Sequence, residues 1–177
     1  MKKNIIVMSL VLLISCNSVK DMEKEKINQT DTQADKSFIS CPEDGVCTIE
    51  VLKNKSLLIK KDDLGHNYYQ TTDSEEHTVF KYTYTRNKVQ EAQDNSYVEE
   101  IIFEIKNPIT KLELSDSELQ NIKMLFGKHC FCKGQAGYYT VNKGNLVLIK
   151  NSDSYYLNVN ITVTEVPQII NTVTATF

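Results

Sequence analysis

The sequence contains no tryptophan and only three histidines, His66, His77 and His129, among its 177 residues. No Gly-x-Ser-x-Gly, phosphate-loop or His-Glu-x-x-His pattern occurs, so the signatures of a serine hydrolase, a nucleotide-binding loop and a zinc peptidase are all missing. Carboxylate pairs such as Glu75-Glu76 and Glu99-Glu100 are sequence neighbours, which a strand points to opposite faces. They cannot flank one bond as a glycosidase pair does, and they read as solvated charges. Positive charge is not in excess either: 20 basic side chains face 23 acidic ones, a formal net charge of −3. That balance argues against a nucleic-acid partner. No apolar run approaches the roughly 20 residues needed to cross a bilayer as a helix.

What is present begins at the N-terminus. Lys2 and Lys3 precede Ile5–Ile14, an apolar run interrupted only by Ser9, and Asn17, Lys20 and Asp21 end it. This is the order of a secretory signal peptide over residues 1–15. The run closes on Leu13-Ile14-Ser15-Cys16, which resembles the lipobox of bacterial lipoproteins: an aliphatic residue, a tolerated position, a small residue, then cysteine. The resemblance covers the first 16 residues and implies cleavage before Cys16, acylation of its sulfur with palmitate-type chains, and a membrane partner held through the lipid. Buried methylenes contribute about 0.8 kcal/mol each, so several chains anchor effectively permanently. Cleavage would remove two lysines and no acids, leaving 18 basic and 23 acidic side chains and a charge of −5.

In the same family, aspartate after the lipidated cysteine usually prevents outer-membrane sorting, and here Asn17 follows. The resemblance therefore implies the cell outer membrane, with periplasmic and surface faces both open. The cluster Lys20-Asp21-Met22-Glu23 is similar to surface-export tethers of Bacteroidota lipoproteins. From residue 16 to 37 only Val19, Met22, Ile27 and Ala34 are apolar after the cysteine, too few to offset the entropy of ordering. Such a tether of about 21 residues has a reach of roughly 25 Å.

Residues 38–177 have the length of one domain with one core. Phe80, Tyr82 and Tyr84 alternate with Lys81, Thr83 and Thr85, and Tyr155, Leu157, Val159, Ile161 and Val163 alternate with Asn158, Asn160, Thr162 and Thr164. Period-2 patterning predicts half-buried strands. Weaker strand patterns cover 46–52, 57–61, 68–72, 97–105, 109–114, 138–141, 146–150 and 169–177, with turn residues at Asp62–Gly65, Asn142–Asn145 and Asn151–Ser154. Ser115-Asp116-Ser117-Glu118 is a capping-box pattern, with Leu119, Ile122 and Phe126 at helical spacing and Gly127 as the stop. The expectation is a mainly β domain, an antiparallel sandwich or barrel-like fold with one α-helix at about 116–126.

Beyond Cys16, four cysteines remain: Cys41, Cys47, Cys130 and Cys132. An exported chain pairs an even set as disulfides. Cys41 and Cys47 can face each other across a hairpin turning at Gly45. Cys130 and Cys132, on one face of an extended strand, would have Cα atoms roughly 6.6 Å apart with parallel side-chain vectors, which suits a bridge poorly. Cross-pairing between the two couples is therefore favoured. The alternative is a soft metal site built from Cys41, Cys47, His129, Cys130 and Cys132, although spacings of five and one depart from the usual zinc knuckles.

The doublets Tyr68-Tyr69, Tyr138-Tyr139 and Tyr155-Tyr156 put one ring on each face of a strand. Outward rings suit an envelope protein or glycan partner, or simply pack at strand ends. The expected function is thus a membrane-anchored, non-enzymatic binding or structural β-domain that needs no cofactor. The competing readings are an envelope enzyme with a loop-built site at His129 and nearby acids, and a Cys/His metal-handling protein. Mild proteolysis of the exported protein should cut within residues 17–37 and leave 38–177 whole. Strong amide-exchange protection across the tether would contradict that boundary.

Overall fold

The computed structural model describes residues 37–88 and 96–177; the signal peptide and tether expected over residues 1–36, with Cys16, lie outside the described residues. Among the described residues ten strands run in chain order. They are β1 (Phe38–Ile39), β2 (Gly45–Lys61), β3 (Asn67–Arg86), β4 (Tyr97–Lys106), β5 (Lys111–Ser115), β6 (Leu125–Cys130), β7 (Gly137–Thr140), β8 (Gly144–Lys150), β9 (Tyr155–Ile161) and β10 (Thr172–Thr176). One five-stranded sheet has the order β1-β10-β9-β8-β5 and the other β2-β3-β4-β6-β7. Every pairing is antiparallel, so the domain is a mainly β, sandwich-like fold.

The two strongest alternations line the main core, as their period requires. Phe80, Tyr82 and Tyr84 on β3, with Ile101, Phe103 and Ile105 on β4, meet Leu157, Val159 and Ile161 of the other sheet. Phe80 stacks on Phe103 at 5.3 Å and meets Tyr155 edge-on at 5.1 Å, which joins the sheets through aromatic contacts.

β2 and β3 form one long hairpin where the sequence pattern suggests shorter separate strands. The ladder slips between Lys53 and Lys55, where Asn54 adopts φ +58. Opposite this bulge Ser74–His77 run out of register, and Ser74 Oγ lies 2.9 Å from His77 Nδ1 across the bend. A bulge bends its strand, and here the far half of the hairpin folds back over the outer face of its own sheet. Leu57 consequently packs with Val79, Ile102 and Leu125 in a second apolar cluster, flanked by Tyr69 and Tyr138. Asn67 pairs with Tyr138, so β3 also meets β7 and the sheet curls onto itself. Burying a leucine such as Leu57 contributes about 1.5–3 kcal/mol.

The helix falls where the capping box places it and is tighter and shorter than expected. It is a 3₁₀ helix, Asp116–Ile122, with the Glu118 carboxylate accepting from the Ser115 amide at 3.0 Å. Leu119 and Ile122, three apart, eclipse at three residues per turn, and both are buried. Lys123 then turns left-handed with φ +52 and stops the helix. Phe126 and Gly127, expected as the last turn and the stop, belong instead to β6. Strand alternation sends Leu125 to the outer cluster and Phe126 to the main core. Gly127 is needed for space, because a Cβ there would lie 2.5 Å from Tyr138 Cε1.

Covering β4 on both faces also corrects the reading of its acids as solvated. Glu99 and Glu100 do point to opposite faces, but each is enclosed. Glu99 is fully buried and accepts from the amides of Ile169 and Ile170 at 2.9 and 2.7 Å and from the Tyr97 hydroxyl at 2.5 Å. Glu100 accepts from Tyr138 Oη at 2.7 Å and lies 3.1 Å from His129 Nε2. Glu104 holds the folded-back hairpin, accepting from Ser56 Oγ at 2.8 Å, the Leu57 amide at 2.5 Å and Lys123 Nζ at 2.7 Å.

Burial pushes the Glu104 carboxyl up, but the hydrogen bonds from Lys123, Leu57 and Ser56 and the lysine charge outweigh it, so it sits below its ordinary 4.5. Glu100 is lowered in the same way, burial being outweighed by His129, Tyr138 and Lys81. A depressed carboxyl stabilises the fold fully above its unfolded value and loses that contribution as pH falls through the folded one. Stability should therefore decline as pH drops below about 4.5. Glu104→Gln should cost about 1–3 kcal/mol at pH 7 and make that acid limb shallower in urea melts. An acid limb identical to that of the unmodified protein would contradict this assignment.

Candidate functional site

The chain crosses from one sheet to the other between β4 and β5, and the crossing leaves a cleft of about 360 Å³. Its floor is aliphatic: Ile105 at the end of β4, Ile109 in the crossing segment, Leu112 and Leu114 on β5, and Ile122 from the 3₁₀ helix. The alternation of β5 produces this wall, since Leu112 and Leu114 point inward while Lys111, Glu113 and Ser115 are exposed. Polar side chains also line the cleft: His77, Lys106 and Asn121, with the buried Glu104 beside them. The bend in β3 positions His77, whose Nδ1 meets Ser74 and whose Nε2 lies 4.0 Å from Glu104 Oε1. The cleft is partly open to solvent and mixes an aliphatic wall with a few polar groups, a combination that small-molecule sites share.

A second polar cluster joins Glu100, His129 and Tyr138 on the outer face of the β2-β3-β4-β6-β7 sheet. The Tyr138 ring packs edge-on against both His129, at 5.2 Å, and Tyr69, at 5.1 Å. Burial, and donation of its proton to the Glu100 carboxylate, push the Tyr138 hydroxyl up, so it remains a neutral donor. His129 and its acid are thus brought together, as the enzyme reading requires, yet Glu100 is engaged by both neighbours. The cluster ties β4, β6 and β7 to each other.

Cysteine pairing differs from the favoured expectation. Cys41 bonds to Cys47 and Cys130 to Cys132, with Cα atoms 5.6 and 5.2 Å apart. Cross-pairing is excluded by the sheet: Cys47 lies on β2 and Cys130 on β6, with β3 and β4 between them. Three strand spacings amount to roughly 14 Å, whereas a bridge needs Cα atoms within about 7 Å. The local Cys130–Cys132 bridge becomes feasible because β6 ends at Cys130 and the chain bends at Phe131, which projects 87% exposed. The soft-ligand set Cys41, Cys47, His129, Cys130 and Cys132 is not assembled, since its sulfurs are consumed in two bridges on separate strands. Among the described residues no group of three or more His, Cys, Asp or Glu side chains is arranged to hold a metal ion.

The tyrosine doublets split between faces as expected: Tyr69 and Tyr138 flank the outer cluster, while Tyr139 and Tyr155 pack on the main core. None of them lines the cleft. His77 is also less exposed than its polar context suggests, at 27%. The cleft itself escapes sequence reasoning because residues 104–122 enclose it only once β4, β5 and the 3₁₀ helix have been placed, and His77 joins them from β3. The one local signal is the aliphatic spacing of Ile109, Leu112 and Leu114 after Pro108.

Comparison with protein-family models, with curated proteins and with solved structures yields no match to this chain.

Both bridges close short loops, so the chain-entropy model assigns each roughly 2 kcal/mol, against about 4 for a bridge spanning over 80 residues. Reduction should lower the melting temperature modestly, and non-reducing peptide maps should yield Cys41–Cys47 and Cys130–Cys132. A cross-linked peptide joining the two couples would contradict the sheet order.

Proposed function

We propose that this chain is a lipid-anchored protein of the bacterial cell envelope, held in the membrane, and by its sorting residue in the outer membrane, through Cys16. Its β-domain serves as a binding module without catalysis of its own. One observation carries the reading: of five cysteines, four are paired within the domain, and the fifth stands at the lipobox. Structural disulfides belong to oxidising compartments, which agrees with export by residues 1–15. The binding role is supported by the aliphatic cleft, and by a polar cluster at His129 whose hydrogen bonds are spent on one another. The tether then gives the module roughly 25 Å of freedom from the bilayer.

Labelling cells with an alkyne analogue of palmitate tests the anchor. The native chain should take up label and fractionate with membranes, while Cys16→Ala should lose the label. A Cys16→Ala variant still labelled and still in the membrane fraction would contradict the proposal.

A further inference from the structure

The cleft admits a more definite assignment, which rests on reading the domain as a binding module and names what it takes. We infer that the cleft beside His77 binds a single unbranched aliphatic chain of about ten carbons ending in a carboxylate.

The size sets the length. A partly open space of about 360 Å³ seats at most roughly a dozen non-hydrogen atoms at the ~30 Å³ that a water-sized group occupies. Decanoate has that number. The walls set the chemistry of the chain, because Ile105, Ile109, Leu112, Leu114 and Ile122 offer no hydrogen bond from their side chains. They stand on strands and on the 3₁₀ helix, so the space is preformed.

Charge at the rim sets the head group. Glu104 is the only acid on the lining, and its charge is already met: Lys123 Nζ lies 2.7 Å from Oε1, while Ser56 and Leu57 donate to Oε2. What is left for a ligand is cationic or polar. Lys106 has only Glu76 at 3.2 Å, and both are about 70% exposed, so that pair is easily exchanged. His77 Nε2 and the Asn121 amide complete the rim. A carboxylate placed there meets a cation and two hydrogen-bonding side chains. An extended peptide is the rival occupant, added along the free edge of β5. That edge is only five residues long and carries Lys111 paired with Glu113 at 2.7 Å, features that oppose strand addition.

The test uses the mature chain carrying Cys16→Ser, exported behind a cleavable signal peptide and therefore free of its own lipid. Titration calorimetry at pH 7 with hexanoate, octanoate, decanoate and dodecanoate should show affinity rising about fourfold per added methylene and levelling off beyond about ten carbons. His77→Ala and Lys106→Ala, both at the rim, should each weaken decanoate about fivefold and leave decanol unchanged. Leu112→Trp should abolish binding of both, and a cooperative melt would establish that this variant is folded. No binding at any chain length by a cooperatively folded protein overturns the assignment. So does affinity that ignores chain length, or decanol bound as tightly as decanoate with the rim variants silent. Palmitate labelling of Cys16 is read on the native chain, so the anchor and the ligand fail separately.

Discussion

Everything in this domain turns on β4 being covered on both faces. It is the middle strand of its sheet, and the run Ile101 to Ile105 is buried without a break, one side against the opposite sheet and the other beneath the folded-back hairpin. A strand in that position cannot leave a carboxylate unpartnered, since an isolated buried charge costs several kcal/mol. Each of its three glutamates therefore ties down a different part of the molecule. Glu99 takes the Ile169 and Ile170 amides from the loop before β10, Glu100 takes His129 and Tyr138, and Glu104 takes Ser56 and Leu57 in the far half of β2 together with Lys123. Hydrophobic burial supplies the stabilisation, and the carboxylates specify which backbone segment covers which face.

The two ends of β4 then serve different purposes. At its Tyr97 end stand the cysteine bridges, because Gly45, Arg86 and Cys130 lie in the rows nearest Tyr97. Here too Lys128, almost wholly buried, donates to the Pro167 carbonyl at 2.7 Å and to Gln135 at 2.9 Å, closing the sandwich. At its Lys106 end the chain crosses to β5 and the cleft opens. Nine residue steps separate these ends, about 30 Å along a strand. Redox state at one end is thus mechanically remote from the cleft at the other, whose walls are set by the packing of β5 and the 3₁₀ helix.

How much of this was legible depended on locality. Phe80, Tyr82 and Tyr84, or Leu157 through Val163, face one layer of core and one layer of water, so their alternation announced a strand and its inward face. β4 reads Tyr-Val-Glu-Glu-Ile-Ile-Phe-Glu-Ile-Lys, with little alternation, and the reason is a covering hairpin that no local pattern reports. The same hairpin hid the roles of Glu99, Glu100 and Glu104, whose partners come from as far as 71 residues away. The 3₁₀ helix was visible through its capping box, but its end was misplaced, because Phe126 continues the helical spacing while Lys123 has already turned the chain. The cysteine count was informative and the pairing was not, since the distance between Cys47 and Cys130 is set by two intervening strands. His77 was not legible, for its position follows from the bend opposite the bulge at Asn54, and the cleft was not, because it opens only where the chain crosses between the sheets from β4 to β5.

The fold-back of the β2–β3 hairpin can be observed directly in solution. Nuclear Overhauser contacts between the methyl groups of Leu57 and those of Ile102 and Leu125, together with Tyr69-to-Tyr138 ring contacts, are the result this account predicts. A spectrum in which Leu57 and Tyr69 contact only their hairpin partners, with Ile102 and Leu125 amides exchanging freely with solvent, would contradict it.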